Sequence, residues 1–399
     1  MFVYKNKDMN KPVKIWTNDI NDIEKECLNQ AINLSNLPFI YKHVCLMPDT
    51  HSGYGMPIGG VIATDGVVIP NAVGVDIGCG MVYAETDIDA EVLKGNKDLI
   101  KIISEKISEK IPVGFNKHKD RHSCEVADKI KRMLYCSEDS IFADDIENMY
   151  YQIGTLGGGN HFIELQENIK GKLCIMIHSG SRNFGYKVAG HFNNKAKQLN
   201  KFWYSDVPKS YQLAFLPAHS AEGIEYIEWM GFSLEFAQEN RWIMMQAIYE
   251  IILDNMIDDF DVSQYINAHH NYAALENHFG HNLWVHRKGA ILARKEKLGI
   301  IPGSMGSCSY IVSGLGNADS FHSSSHGAGR LMSRKKAKEQ FSEIEVNEYL
   351  KNNNIVLNKK GDVADEHVFA YKDIDEVMVN QSDLTEVIDK LIPILVIKG

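Results

Sequence analysis

The stretch MPIGGVIATDGVVIPNAVGVDIGCG, residues 56–80, decides how the chain is read. VIAT and VVIP are rich in β-branched residues, and the glycines and prolines between them form turns. Residues 41–87 are therefore expected to be short strands joined by tight turns. The stretch ends on Asp76 and Cys79, three apart in a turn where Gly78 and Gly80 flank the cysteine. At that spacing a carboxylate and a thiolate can converge on one point. Alone, the pair reads equally well as a turn aspartate beside a buried cysteine.

Further along, Ile100, Ile103, Ile107 and Ile111 recur at helical spacing, so residues 97–111 are expected to be a helix. Leu173–Ile177 is a short apolar run that reads as a buried strand delivering His178 at its C-terminal end. Residues 192 to about 262 lack glycine clusters, and Met245, Ile248, Ile252 and Met256 form a second helical stripe. A helical insertion of two or more helices, with no ligands of its own, is expected there. Residues 265–330 return to Gly-rich loops. The C-terminal LTEVIDKLIPI reads as a helix followed by a last strand ending at Lys398-Gly399. No repeat or clean boundary divides the 399 residues. A mixed α/β unit spanning 1–399 is the expected architecture.

Seven scattered cysteines without a CxxC pair make neither a disulfide framework nor a zinc ribbon. Most are expected to be small buried residues, Cys79 excepted. No membrane-length apolar run and no secretory leader are visible, so the cytoplasm is the expected compartment. The net charge of −10 argues against a general nucleic-acid coat protein. Two basic clusters, His286-Arg287-Lys288 and Arg330, Arg334, Lys335, Lys336 and Lys338, read either as a focused basic channel or as solvated faces.

Three more glycine-rich or polar contexts hold histidines: His161 in GGGNHFIE, His178 in IMIHSGSR and His270 in AHHNYA, where the neighbouring Asn271 favours His270 over His269. With Asp76 and Cys79 they form a mixed hard and soft donor set that leaves the metal open and suits a dinuclear site better than a single ion. GTLGGGN (154–160), PGSMG (302–306) and HGAGR (326–330) offer backbone N–H groups to phosphate. In HGAGR, His326 could be a sixth ligand, a general base or a nucleophile that attacks an activated phosphate.

The strings MPDTHSGYGMPIGGVIAT, VGVDIGCG, GGGNHFIE, HSGSRNFG, AHHNYA, VHRKGA, PGSMGSCSYIV, HSSSHGAGRLMSR, DEHVFAYKDIDEVM and the terminal VIKG resemble, in order, the RtcB family of RNA-splicing ligases. The resemblance runs from about residue 40 to the end. It implies one large RtcB-like unit with Gly-rich loops around a central metal site. It also implies a GTP- and Mn²⁺-dependent ligase that joins RNA 3′-phosphate or 2′,3′-cyclic phosphate ends to 5′-hydroxyl ends, in RNA repair or tRNA splicing. His326 matches the nucleophile that becomes guanylylated, and Asp49 a residue that orients it. Cys79 matches a bridge between two Mn²⁺ ions, with Asp76 and His161 completing one site and His178 and His270 the other. Asn160 is implied at a GTP phosphate, Glu164 and Lys398 at the guanine edge, and Tyr371 against the base. Ser304, Ser309, Gly327, Ala328, Gly329 and Arg330 match nucleotide-contacting loops, with Arg330 also the cation of HGAGR. RNA is the implied partner. A monomer is expected, with an activating protein partner compatible with the reading. Ser307-Cys308 and His367-Val368-Phe369 depart from the family pattern near the nucleotide loops.

Overall fold

The computed structural model describes residues 1–133, 141–359 and 361–399. Cys136 lies outside them. Eleven α-helices and two principal sheets build a mixed α/β fold among these residues.

The first sheet has six strands, in the order Phe2–Tyr4, Val13–Ile15, Ile40–His51, Ile58–Thr64, His281–Lys288 and Asn271–His278. The second has eight. Its path runs Val262–His269, Gly80–Asp89, Lys172–Ser179, Phe162–Glu167, Thr385–Lys398, Ser309–Gly314 and Leu298–Ile301, with Val356–Lys359 parallel to Thr385–Lys398. The two sheets meet where Val262–His269 ends and Asn271–His278 begins, so His270 occupies the corner between them. The turn carrying Asp76 and Cys79 leads into Gly80–Asp89 at the same seam. There the Gly80 backbone lies so close to the neighbouring strand that an added Cβ would meet the Ala268 carbonyl at 2.2 Å.

Residues 56–80 form the strands Ile58–Thr64 and Val67–Val68, and then Pro70 opens a one-turn helix, Pro70–Val73, at its N1 position. Lys97–Lys110 is helical and buries Ile100, Ile103 and Ile107. Lys172–Ser179 is the buried strand that ends beside His178. Residues 192–262 hold the second half of the helix Arg182–Phe202 and the 35-residue helix Ala221–Asn255. The long helix is apolar on several faces because it is wedged between clusters: Tyr226, Trp229, Phe232 and Phe236 pack on one, and Met244, Met245, Ile248 and Ile252 on another.

Three expectations are corrected. LTEVIDKLIPI is strand, not helix: Thr385–Lys398 pairs with Ser309–Gly314 and Phe162–Glu167 and carries a bulge between Pro393 and Leu395. Its apolar residues fall at helix-compatible intervals, but Thr385, Val387, Ile388, Ile392 and Ile394 are β-branched, and Pro393 sits at the irregularity that tolerates it. Residues 265–330 are not loops throughout: they carry strands of both sheets and a further two-stranded pair, with loops between them. His286, Arg287 and Lys288 line no channel and face no solvent: all three are buried in Ile58–Thr64's partner strand. Of the described cysteines, Cys27, Cys45, Cys79, Cys124 and Cys174 are buried and Cys308 is half-buried, all with free thiols. No helix among the described residues is long and apolar enough to cross a membrane.

Candidate active site

Four chain segments bring the donor atoms together at the sheet seam. Cys79 follows Gly78, whose φ of 78° is the left-handed region, and its N–H closes a turn onto the Asp76 carbonyl at 3.2 Å. An added Cβ on Gly78 would press on Ala237 and the Ser233 carbonyl of the long helix at 3.0 Å. Asn271 staples the turn: its side chain donates to the Asp76 carbonyl at 3.1 Å, and its own carbonyl accepts from Gly78 N–H at 3.0 Å. His178 arrives on the strand end and His161 just before its neighbour Phe162–Glu167.

The Cys79 Sγ lies 3.3 Å from His161 Nε2 and 3.2 Å from His178 Nε2. His178 Nε2 is 3.4 Å from His270 Nε2, and Asp76 Oδ2 is 3.3 Å from His161 Nε2. All five expected donors therefore converge, with the sulfur central. The Cys79, His161 and His178 donor atoms all lie within 4.8 Å of one another. His178 Nδ1 is positioned to donate to the Asn160 carbonyl at 3.2 Å, which turns the Nε2 lone pair inward. Lone pairs on imidazole nitrogens, a sulfur and a carboxylate facing one another at this range cannot all satisfy each other by hydrogen bonds. That donor chemistry fits a cation.

The loops are clamped by the helix Ala221–Asn255, a role the sequence reading missed. Arg241 is fully buried and donates to the Gly78 and Ser179 carbonyls at 3.0 and 2.8 Å. Burial lowers its pKa to about 10, which leaves it a cation in neutral solution beside the thiol. Asn240 bonds both sides of Thr155 and reaches Ser179 and Gly180. Adjacent Asn-Arg on a helix carries no ligand-like spacing, so only the fold exposes the function of the pair.

His326 stands beside this cluster, its ring centroid 4.7 Å from that of His270. Its Nδ1 is 2.6 Å from Asp49 Oδ2, and its backbone N–H donates to the same oxygen at 3.1 Å. Burial pushes the Asp49 pKa up, but the hydrogen bond and charge of His326 more than reverse this, so Asp49 is ionised. Lys372 holds the strand that presents Asp49, donating to the Pro48 and Thr50 carbonyls at 2.8 Å each. With Nδ1 engaged, Nε2 is the nitrogen left to react.

A cavity of about 290 Å³ opens from His326 and His178. Asn160, Ser304, Gly327, Ala328, Gly329, Arg330, Tyr371 and Lys398 line it. Glu164 and Ser309 do not. Glu164 is buried behind the wall, bonded to Gln166 at 2.6 Å, and burial raises its pKa to about 8. Ser309 accepts from Gly303 N–H at 3.2 Å and so fixes the 302–306 loop. The cavity's own carboxylate, missed in the sequence, is Glu366. It pairs with Lys398, accepts from Tyr371 Oη at 2.8 Å, and pairs with Arg334 at 2.7 Å and Arg330 at 3.3 Å. Burial pushes its pKa up, and the Lys398 and Arg334 charges overcome that to hold it at about 2. Its neighbours in sequence, Asp365 and His367, give no hint of the basic partners that the fold brings to it. Of the second basic cluster, only Arg330 and Arg334 reach the cavity, whereas Lys335, Lys336 and Lys338 are exposed.

Comparison with known proteins bears on this arrangement. A family model described as tRNA-splicing ligase RtcB matches residues 30–399. The RNA-splicing ligase RtcB of Escherichia coli K12 is 38% identical, with 98% of each chain covered. The tRNA-splicing ligase RtcB of Nanoarchaeum equitans is 32% identical over 98% of this chain and 96% of its own. The RNA-splicing ligase RtcB of Mycobacterium tuberculosis is 30% identical over 93% of this chain and all of its own.

Proposed function

The chain belongs to the RtcB family of RNA ligases, and on that premise we propose that it joins RNA 3′-phosphate or 2′,3′-cyclic phosphate ends to 5′-hydroxyl ends at the expense of GTP, through a guanylylated His326. The observation that carries the reading is the Asp49–His326 pair at 2.6 Å, with His326 lining the cleft of about 290 Å³ and standing against a converging donor cluster.

His326 Nε2 attacks the α-phosphorus of GTP and pyrophosphate leaves. Asp49 holds Nδ1–H and offsets the positive charge that develops on the ring. The backbone of Gly327, Ala328 and Gly329, with Asn160, Ser304 and Arg330, receives the phosphates. Tyr371 packs on the base, and Lys398, with Glu164 behind it, reads the guanine edge. A cyclic phosphate end is first opened to the 3′-phosphate. GMP then passes from His326 to the RNA 3′-phosphate, and the 5′-hydroxyl attacks that phosphate and expels GMP. The residues Cys79, Asp76, His161, His178 and His270 would hold two Mn²⁺ ions, which would offset phosphate charge. The same reading makes residues 1–399 one catalytic unit, monomeric and cytoplasmic, acting in RNA repair or tRNA splicing.

The test is to supply RNA whose 3′-phosphate carries the radiolabel, a 5′-hydroxyl acceptor, GTP and Mn²⁺. The label should end in the junction, resistant to phosphatase. Release as inorganic phosphate with no joined product would mean a phosphohydrolase and would overturn the reading.

A further inference from the structure

The helix Arg182–Phe202 runs out into Lys201-Phe202-Trp203-Tyr204, four consecutive exposed residues. Phe202 and Tyr204 are 77% and 92% exposed. Singly exposed aromatics are ordinary, but Phe202, Trp203 and Tyr204 are exposed in succession and so form a patch. Beside them a groove of about 680 Å³ opens between the helix and residues 205–214, with Lys197, Lys201 and Lys209 on its walls. Residues 182–214 carry Arg182, Lys187, Lys195, Lys197, Lys201 and Lys209 against one carboxylate, Asp206, in a protein whose net charge is −10. Lys195 pairs with Glu225 at 2.9 Å, but among the described residues the three groove lysines have no ion-pair partner.

The groove connects to the catalytic cleft through one loop. Lys197 Nζ lies 6.0 Å from the ring centroid of Tyr54, itself 47% exposed. The Tyr54 carbonyl accepts from Lys288 at 2.7 Å. Gly289, the next residue, packs against His326, where an added Cβ would stand 3.0 Å from the ring. Three residues before Tyr54, His51 lines the cleft. Unpaired cations interleaved with exposed aromatic faces are the combination that grips single-stranded nucleic acid: phosphates meet the ammonium groups, and bases stack whatever their identity.

We propose that this groove holds a single-stranded stretch of the RNA substrate, its phosphates on Lys197, Lys201 and Lys209 and its bases on Phe202 and Tyr204. The inference rests on the ligase reading only for the identity of the strand. Lys197 and Lys201 stand one helical turn apart and so can serve successive phosphates.

The test is fluorescence anisotropy of the full chain with a labelled single-stranded RNA of mixed sequence, titrated at several salt concentrations. The triple variant Lys197→Gln, Lys201→Gln, Lys209→Gln should flatten the plot of log affinity against log salt by about 2, three contacts at roughly 0.7 each. Phe202→Ala with Tyr204→Ala should weaken binding about thirtyfold or more at an unchanged slope, two stacked bases at roughly 1 kcal/mol or more each. Labelling by GTP, which needs no RNA, reports that each variant is folded. If both variants bind RNA like the parent while labelling and joining persist, the groove proposal falls alone. If the parent neither labels nor joins but both variants show the expected losses, the ligase reading falls and the groove stands. A change in oligomeric state with unchanged RNA affinity would make the surface an interface between copies and overturn the proposal.

Discussion

Two buried clusters of ionisable side chains are built on opposite principles, one on the strands Asn271–His278 and His281–Lys288 and one at the seam beside His270. In one, Arg287 is fully buried and saturated: it pairs with Glu276 and also donates to Ser323 at 2.9 Å and the Phe321 carbonyl at 3.0 Å. His278 meets the same carboxylate at 3.0 Å, and Arg294 approaches it at 3.4 Å. In the other, Cys79, His161, His178, His270 and Asp76 turn acceptor atoms at one another, and the outer Nδ1 atoms of His161 and His270 have no partner. Burial of polar groups is costly unless each finds its partner. A cluster that closes on itself serves the fold, whereas one that leaves its acceptors facing each other is completed by something added.

Substitutions in the two clusters should therefore fail in different assays. The largest effect is expected from Cys79→Ala: bound Mn²⁺ should fall by at least half and guanylylation by about a thousandfold or more, with the metal-free protein melting no earlier than its parent. Full metal content measured by atomic emission would break the contrast. Arg287→Ala should do the reverse. It strands the buried Glu276 carboxylate and should cost about 3–5 kcal/mol of stability in chemical denaturation, while the folded fraction still labels with GTP. A stable Arg287→Ala protein would mean that the saturated cluster is not holding the sheet.

Asp49 belongs to both patterns, with Oδ2 bonded to His326 and Oδ1 buried without a partner. Asp49→Asn keeps the shape but loses the charge, so guanylylation should drop about a hundredfold with melting changed little. Wild-type labelling rates in this variant would remove Asp49 from the mechanism. The smallest effect concerns pH. Glu366 has a folded pKa of about 2 against an ordinary 4.5, so its contribution to stability is present above 4.5 and lost as pH falls from there toward 2. Glu366→Gln should flatten the acid limb of the stability curve in that window, and an unchanged limb would place the acid sensitivity elsewhere.

The contrast also explains what could be read from the sequence. The donors were legible because each sits in a glycine-punctuated turn or at a strand end, as His178 does after Leu173–Ile177. The saturated cluster was not: HRK looks like a solvated patch until its strand is seen sandwiched between Ile58–Thr64 and Asn271–His278. Arg241 and Asn240 were hidden for a related reason. They act through carbonyls at Gly78, Ser179 and Thr155, and a helix lying across distant loops leaves no spacing pattern. Glu366 was overlooked because its partners, Lys398 and Arg334, lie 32 residues away on either side. The last strand was misread because local periodicity cannot report the two neighbours that flank Thr385–Lys398.

The most direct measurement is incubation of the purified chain with Mn²⁺ and α-labelled GTP, with ATP in parallel. A guanylylated His326 predicts a GTP-specific adduct that is acid-labile and alkali-stable, as a phosphoramidate is, and that is absent in His326→Ala although this variant still binds metal. An adduct that persists in His326→Ala, or none in a fully metal-loaded parent, would contradict it.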